Sequence, residues 1–309
     1  MTITYVAAGT AAHANATSVT PGLPAGISAA DTLLVIDALK ADGTVADSLG
    51  EYTELATVLG STSRRLTVLG KTHDGSESAP QIDITGTGNS HSAVMIALRG
   101  AYQTIASAVH ASAGQAGDNV DLTIEYPALT ITEDNCAVLL VISHNDDLAS
   151  GALSFSTPAG FTKVGDYDTT LGGDHSFAIY EQIQTTATSI SAGTVTKSGG
   201  GGAVNAAIIL ALKASVANRY VKLLANAVAA SETGIEGVVL NAARDTVIGE
   251  FSGQAFEASL EGGEAVLLIP TNAITPNGES LTTSDTPTVF AYNATDSTIG
   301  PGSATVIEV

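Results

Sequence analysis

Four blocks of this sequence occur twice, in the same order, and that duplication limits what the chain can become. "DTLLVIDAL" (31–39) is echoed by "NCAVLLVISH" (135–144), and "YTELATVLG" (52–60) by "FTKVGDYD" (161–168). "RRLTVLGKT" (64–72) matches "HSFAIYEQI" (175–183), and "AVMIALR" (93–99) matches "AIILALK" (207–213). The offset grows from about 104 residues at the first pair to 114 at the last, as insertions collecting in loops would produce. Two copies of one unit, residues 1–104 and 105–214, are therefore expected.

The unit reads as β-structure. In "PQIDITG" (80–86), Ile82 and Ile84 alternate with Gln81 and Asp83. "NVDLTIEY" (119–126) repeats the alternation through Val120, Leu122, Ile124 and Tyr126. Runs such as "TLLVI" (32–36) and "CAVLLVI" (136–142) have no polar face and suit central strands of a packed sheet. Short strands with turn-rich gaps predict an all-β chain of tandem β-sandwich-like modules. The pattern changes near residues 214–218. Five further strand-like segments follow, at 234–242, 245–253, 265–270, 286–292 and 303–309, and predict a smaller C-terminal β-domain over 215–309. "RYVKLLANAVAASE" (219–232) fits a helix, although its first half fits a strand equally well.

The tract "SGGGGAVNAAIILALKA" (198–214) invites comparison with a phosphate-binding loop. Such a loop needs strand, glycines and helix in that order, with a Lys beside the last glycine. Here the glycines precede an apolar strand-like run, and no Lys follows Gly202 until Lys213. "TGTGNSHSAVMIALRGA" (85–101) has the same layout in the first copy, so the glycines read as a strand connection.

Charge and composition exclude other classes. There are 11 Lys and Arg against 31 Asp and Glu, a net charge of −20. The imbalance is −4 over residues 1–104, −8 over 105–214 and −8 over 215–309, so it is general rather than a tail. Nucleic-acid affinity comes from cations that displace condensed counterions, and this chain lacks them. The longest apolar runs are about seven residues, too short to span a bilayer as a helix, and the N-terminus has no signal-peptide pattern. Cys136, the one cysteine, sits in an apolar run and reads as a buried thiol. His13, His73, His91, His110, His144 and His175 show no metal-ligand spacing, and no nucleophile elbow is present. "GDYDTTLGGD" (165–174) offers Asp166, Asp168 and Asp174 as hard oxygen donors, but without the residue order of a calcium loop. No catalytic, cofactor-binding or metal residue is assigned.

"LPAGISAADTLLVIDAL" (23–39), "ESAPQIDITGTGNSHSAVMIALRG" (77–100), "TPAGFTKVGDYD" (157–168) and "AAIILALKA" (206–214) together resemble a group of tailed-bacteriophage virion proteins. Those carry a duplicated module with "PAG-aromatic" turns and a strand ending in "ALRG" or "ALKA". The first unit departs from this pattern, with "LGEYTEL" (49–55) where the second has "PAGFTKV". The resemblance implies a structural virion protein, expected on the exterior of the head or tail as a capsid decoration or other accessory protein. Its partners would be the major capsid or tail protein and further copies of itself, a trimer first. The alternative is a tail-associated adhesin that binds host-surface carbohydrate through loop tips near Tyr102 and Tyr167, although the chain has no Trp to stack on a sugar. A glycan-degrading enzyme would need a carboxylate pair at defined separation, which the sequence does not single out. Isothermal titration with ATP, GTP or a dinucleotide is expected to show no binding; micromolar binding abolished by serine at Gly200 and Gly201 would reverse the reading of the glycine tract.

Overall fold

The computed structural model describes residues 3–60, 64–86, 90–101, 105–117, 122–145, 154–198 and 204–214, and the backbone of the strands between 219 and 308. Residues 1–215 form one compact unit and 216–309 a second. The described residues are all-β apart from one helical turn, α1 (Ile105–Ala108).

In the first repeat the strands are β1 (Thr4–Ala8), β2 (Ala12–Ala14), β3 (Ser18–Val19), β4 (Thr32–Leu39), β5 (Val45–Asp47), β6 (Thr53–Leu59), β7 (Arg65–Thr72), β8 (Ile82–Ile84) and β9 (His91–Arg99). The second has β10 (Val109–Gly117), β11 (Thr123–Tyr126), β12 (Cys136–Asn145), β13 (Ser154–Phe155), β14 (Thr162–Thr169), β15 (His175–Gln184), β16 (Gly193–Ser198) and β17 (Asn205–Lys213). The large sheets run β1-β9-β4-β7-β6, with β2 also on β9, and β10-β17-β12-β15-β14. The small sheets run β3-β8-β5 and β11-β16-β13. Every pairing is antiparallel, and the two repeats have the same strand order. The four sequence blocks that recur lie on corresponding strands: β4 and β12, β6 and β14, β7 and β15, β9 and β17. With β1 and β2, which both lie on β9, counted as one broken strand, first strand pairs with last, second with second-last and third with third-last in each repeat, which is the nesting of a jelly roll. The departure is β6 and β14, which extend the large sheets instead of joining the small ones.

Each repeat is a sandwich with its own core. Leu33, Val35 and Leu39 of β4 and Ala93, Met95 and Ala97 of β9 meet Val19, Val45, Ile82 and Ile84 of the small sheet. Val138, Leu140 and Ile142 of β12 and Ala207, Ile209 and Ala211 of β17 meet Ile124, Phe155 and Val195. The alternate residues of the same strands build a third core. Leu34, Ile36, Ile96 and Leu98 pack with Leu139, Val141, Ile179, Ile208, Leu210 and Leu212. The two large sheets thus lie face to face, and the unit has four layers. That explains why β4, β9, β12 and β17 have no polar face, since both sides are buried. The chain segments leaving β9 and β17 also meet, in a bridge between Ala101 and Ala214.

The polar alternation of "NVDLTIEY" is realised only in part. Ile124 and Tyr126 are buried, but Leu122 precedes β11 and is 39% exposed, and Val120 lies outside the described residues. In the second unit, β18 (Arg219–Ala225) resolves the helix-or-strand ambiguity of residues 219–225 in favour of strand, while 226–232 lie outside the described residues. β19 (Thr233–Leu240), β20 (Val247–Ala255), β21 (Ser259–Glu261), β22 (Glu264–Pro270), β23 (Thr275–Pro276), β24 (Thr288–Asn293) and β25 (Ser297–Glu308) complete it. They form one sheet in the order β21-β22-β18-β25-β24-β19-β20-β23. The long β25 pairs with β24 through its first half and with β18 through its second.

Leu212 is fully buried between the two large sheets. Leu212→Ala is expected to cost about 2–5 kcal/mol in urea denaturation, the range for a core truncation that leaves a cavity. A loss below about 1 kcal/mol would show that the layer between the repeats is peripheral to stability.

Candidate functional site

The most distinctive surface feature is a cleft at the same place in each sandwich, beneath the turn that enters β14 or β6. In the second repeat the turn is Pro158–Ala159–Gly160–Phe161. Phe161 N–H donates to Pro158 C=O at 3.2 Å, and Gly160 takes φ +84°, as the third position of a type II turn requires. Pro158 opens the turn, Ala159 fills its second position, Gly160 accepts the left-handed third, and the aromatic is turned inward to 8% exposure. In the first repeat the turn is instead opened by Asp47, whose C=O accepts from Gly50 N–H at 3.2 Å. Its carboxylate accepts from the N–H groups of Glu51 (2.8 Å) and Tyr52 (2.9 Å), while Gly50 takes φ +70°. Tyr52 occupies the inward position of Phe161, at 9% exposure. The "LGEY" segment is therefore a different turn, its glycine in the fourth place, that delivers an aromatic to the same inward position.

The clefts have diverged in chemistry. The first-repeat cleft, about 160 Å³, is lined by Asp47, Glu51 and Glu77 among others. Glu77 is nearly buried, and Lys71 Nζ lies 2.9 Å from it and 2.7 Å from Glu51. Burial alone would lower the Lys71 pKa, but these two carboxylates hold it raised. Tyr52 donates to Glu77 at 3.4 Å, and burial beside that carboxylate pushes its hydroxyl pKa well up. Among the described residues, His73, Asp74 and Glu77 are the one group of three side chains whose metal-ligating atoms come within 4.8 Å of one another. Sequence reasoning missed this cluster, because His73 and Glu77 are brought together by the loop after β7. Lys71 already supplies positive charge to Glu77 there.

The second-repeat cleft is larger, about 260 Å³, and its described lining includes Tyr126, Phe161, Gln182, Gln184, Ser189 and Ser191. Tyr126 and Phe161 pack edge to face with centroids 6.4 Å apart. Tyr126 lies across Gly193, its partner in the β11–β16 ladder, where a Cβ would run into the phenol oxygen. Gln182 lies over Gly160, its Nε2 3.3 Å from where a Cβ would stand. Gln184 is 6% exposed, and its Oε1 has no hydrogen-bond partner.

The acids of "GDYDTTLGGD" are not gathered into a donor group: Asp166 pairs with Lys163 at 2.9 Å, and Asp168 sits with it on β14, while Asp174 is in the turn before β15. Tyr167 does not sit at a free loop tip. Its ring stacks on Phe177 with centroids 4.8 Å apart and packs against the core between the repeats, and burial pushes its hydroxyl pKa up to about 12. Tyr102 and Gly199–Gly202 lie outside the described residues. Cys136 is fully buried, and burial raises its thiol pKa.

The other buried polar groups collect where β4 and β12 end and β9 and β17 begin. His91 Nε2 donates to Asp37 at 2.6 Å inside the first sandwich, and Lys197 Nζ lies 3.0 Å from His144 Nδ1 inside the second. Between the repeats, Ser90 Oγ lies 2.6 Å from His175 Nδ1, Arg64 donates to Asn145 at 3.1 Å, and Lys40 reaches the Gly173 carbonyl. No family model, curated protein or solved structure matches the chain.

Burial, and then the charge of Arg64, hold the His175 pKa well below its ordinary 6.5. The folded state thus refuses a proton that the unfolded chain accepts, so stability is present above about pH 6.5 and is lost as pH falls beneath it. Thermal melts are expected to drop between about pH 6.5 and 5, with a shallower slope in His175→Gln. An identical slope in the variant would assign the loss to other groups.

Proposed function

We propose that the chain is a non-catalytic structural protein of a bacteriophage particle, an accessory protein on the exterior of the head or tail. The observation that carries this reading is the use made of buried polar groups. Asp37 is committed to His91, Ser90 to His175 and Arg64 to Asn145, so the ionisable interior joins sheets and repeats. The resemblance of residues 1–214 to duplicated virion modules supports the same role. So does the acid excess, which keeps copies apart in solution until a specific surface brings them together. The jelly-roll nesting is compatible with it, although that order serves capsid and lectin domains alike. The partners are the major capsid or tail protein and further copies of the chain, with closed symmetry.

Light scattering of the purified protein is expected to give about three times the 30.9 kDa chain mass. Coexpression with the major capsid or tail protein is expected to give co-sedimentation with assembled particles. A monodisperse monomer that never accompanies either assembly would overturn the proposal.

A further inference from the structure

We infer that the cleft of the second repeat binds a neutral carbohydrate, one sugar ring at a time, through the amides of Gln182 and Gln184. The chain carries −20, and the corresponding first-repeat cleft holds Asp47, Glu51 and Glu77. Among the described residues lining the second cleft there is no charged side chain. An anion would find no counter-ion in this lining and a metal no carboxylate. What the lining offers is amides and hydroxyls, groups that both donate and accept, around the apolar wall of Tyr126 and Phe161. That combination matches a ligand whose own groups both donate and accept while its ring faces are apolar.

The second observation is Gln184. Its amide is more than nine-tenths buried, lines the cleft, and leaves Oε1 without a partner. A buried acceptor left unsatisfied is a standing cost, and a donor from a bound hydroxyl would remove it. A peptide added as an extra strand fits less well. The central loop residue, Ile190, already exchanges both its N–H and its C=O with Leu129 at 2.9 Å, so this stretch offers no free ladder there. At about 260 Å³ the cleft falls below the roughly 300–1,000 Å³ of drug-sized sites, which suits a single ring of a longer glycan.

Sequence alone offered loop tips near Tyr102 and Tyr167 for such a role; Tyr167 is committed to Phe177 and the core, Tyr102 lies outside the described residues, and the second-repeat cleft uses neither. The inference does not rest on the virion proposal, because a free-standing binding protein would use the same cleft. Failure to co-sediment with particles leaves it untouched.

The test uses the full chain. Saturation-transfer NMR with glucose, galactose, mannose and N-acetylglucosamine is run beside an array of their neutral oligomers. Saturable binding to at least one neutral glycan is expected, weakened roughly tenfold or more by Gln184→Leu and by Gln182→Ala, the scale of one lost buried hydrogen bond. Glu77→Gln, in the first-repeat cleft, should leave it unchanged. Gln184→Leu should melt no lower than the parent, since it removes an unpartnered acceptor. Gln182→Ala, at a less buried position, keeps the test open should the first variant disturb folding. The inference is overturned by absence of saturable binding to every neutral glycan, by binding that both variants leave intact, or by binding confined to anionic glycans.

Discussion

The apolar layer between the two large sheets is the contact on which the rest of unit 1–215 depends. A sandwich needs only one covered face per sheet, and its outer faces ordinarily carry polar residues. Here the outer face of each large sheet carries Leu34, Ile36, Ile96 and Leu98, or Leu139, Val141, Ile208 and Leu210. Left uncovered, either face would be an apolar patch of the kind that drives association. Burying such side chains is worth roughly 1.5–3 kcal/mol each, so pairing the two faces stabilises both repeats at once. The duplication therefore yields one cooperative block, with each copy acting as the cover of the other.

A flat apolar interface specifies burial without specifying register, and the polar groups at one end supply what it lacks. Asp37 and His91 can meet only when β4 and β9 pair as they do, because a slip of one residue would turn one of them to the opposite face. Ser90 with His175, and Arg64 with Asn145, do the same between repeats. The two copies no longer use the same residues. His91 and Asn205 begin equivalent strands, and their ladder partners are Leu39 and His144. Once the copies became neighbours in one chain, each position was free to suit its own side of a shared interface.

The clefts show the same divergence at the surface. Both lie under a turn that places an aromatic inward, Tyr52 or Phe161, and both are walled by the connection to the small sheet. Around the first, an Asp-capped turn and Lys71 produce a compact ion cluster. Around the second, a proline turn needs no carboxylate, and the freed surface is amide and hydroxyl. The scaffold is held by the cores while the rim varies, as expected for loops on a rigid sandwich.

Sequence by itself determined the all-β class, the duplication and the strands that end up central, because these follow from local periodicity. "TLLVI" and "CAVLLVI" have no polar face, so they had to be covered on both sides wherever they lay. Sequence left open whether the repeats shared a sheet or each folded alone, and it did not reveal what covered the second face. Periodicity reports that a side chain is buried, never against which partner. The clefts were less legible still. Gln182 and Gln184 read as the polar end of a strand, and only the return of residues 188–192 beside them makes a walled site. Tyr167, which looked free at a hairpin, was claimed by Phe177 and the core between the repeats. Those outcomes belong to the tertiary structure, because long-range packing decides which polar atoms keep access to solvent and which faces are committed to the core.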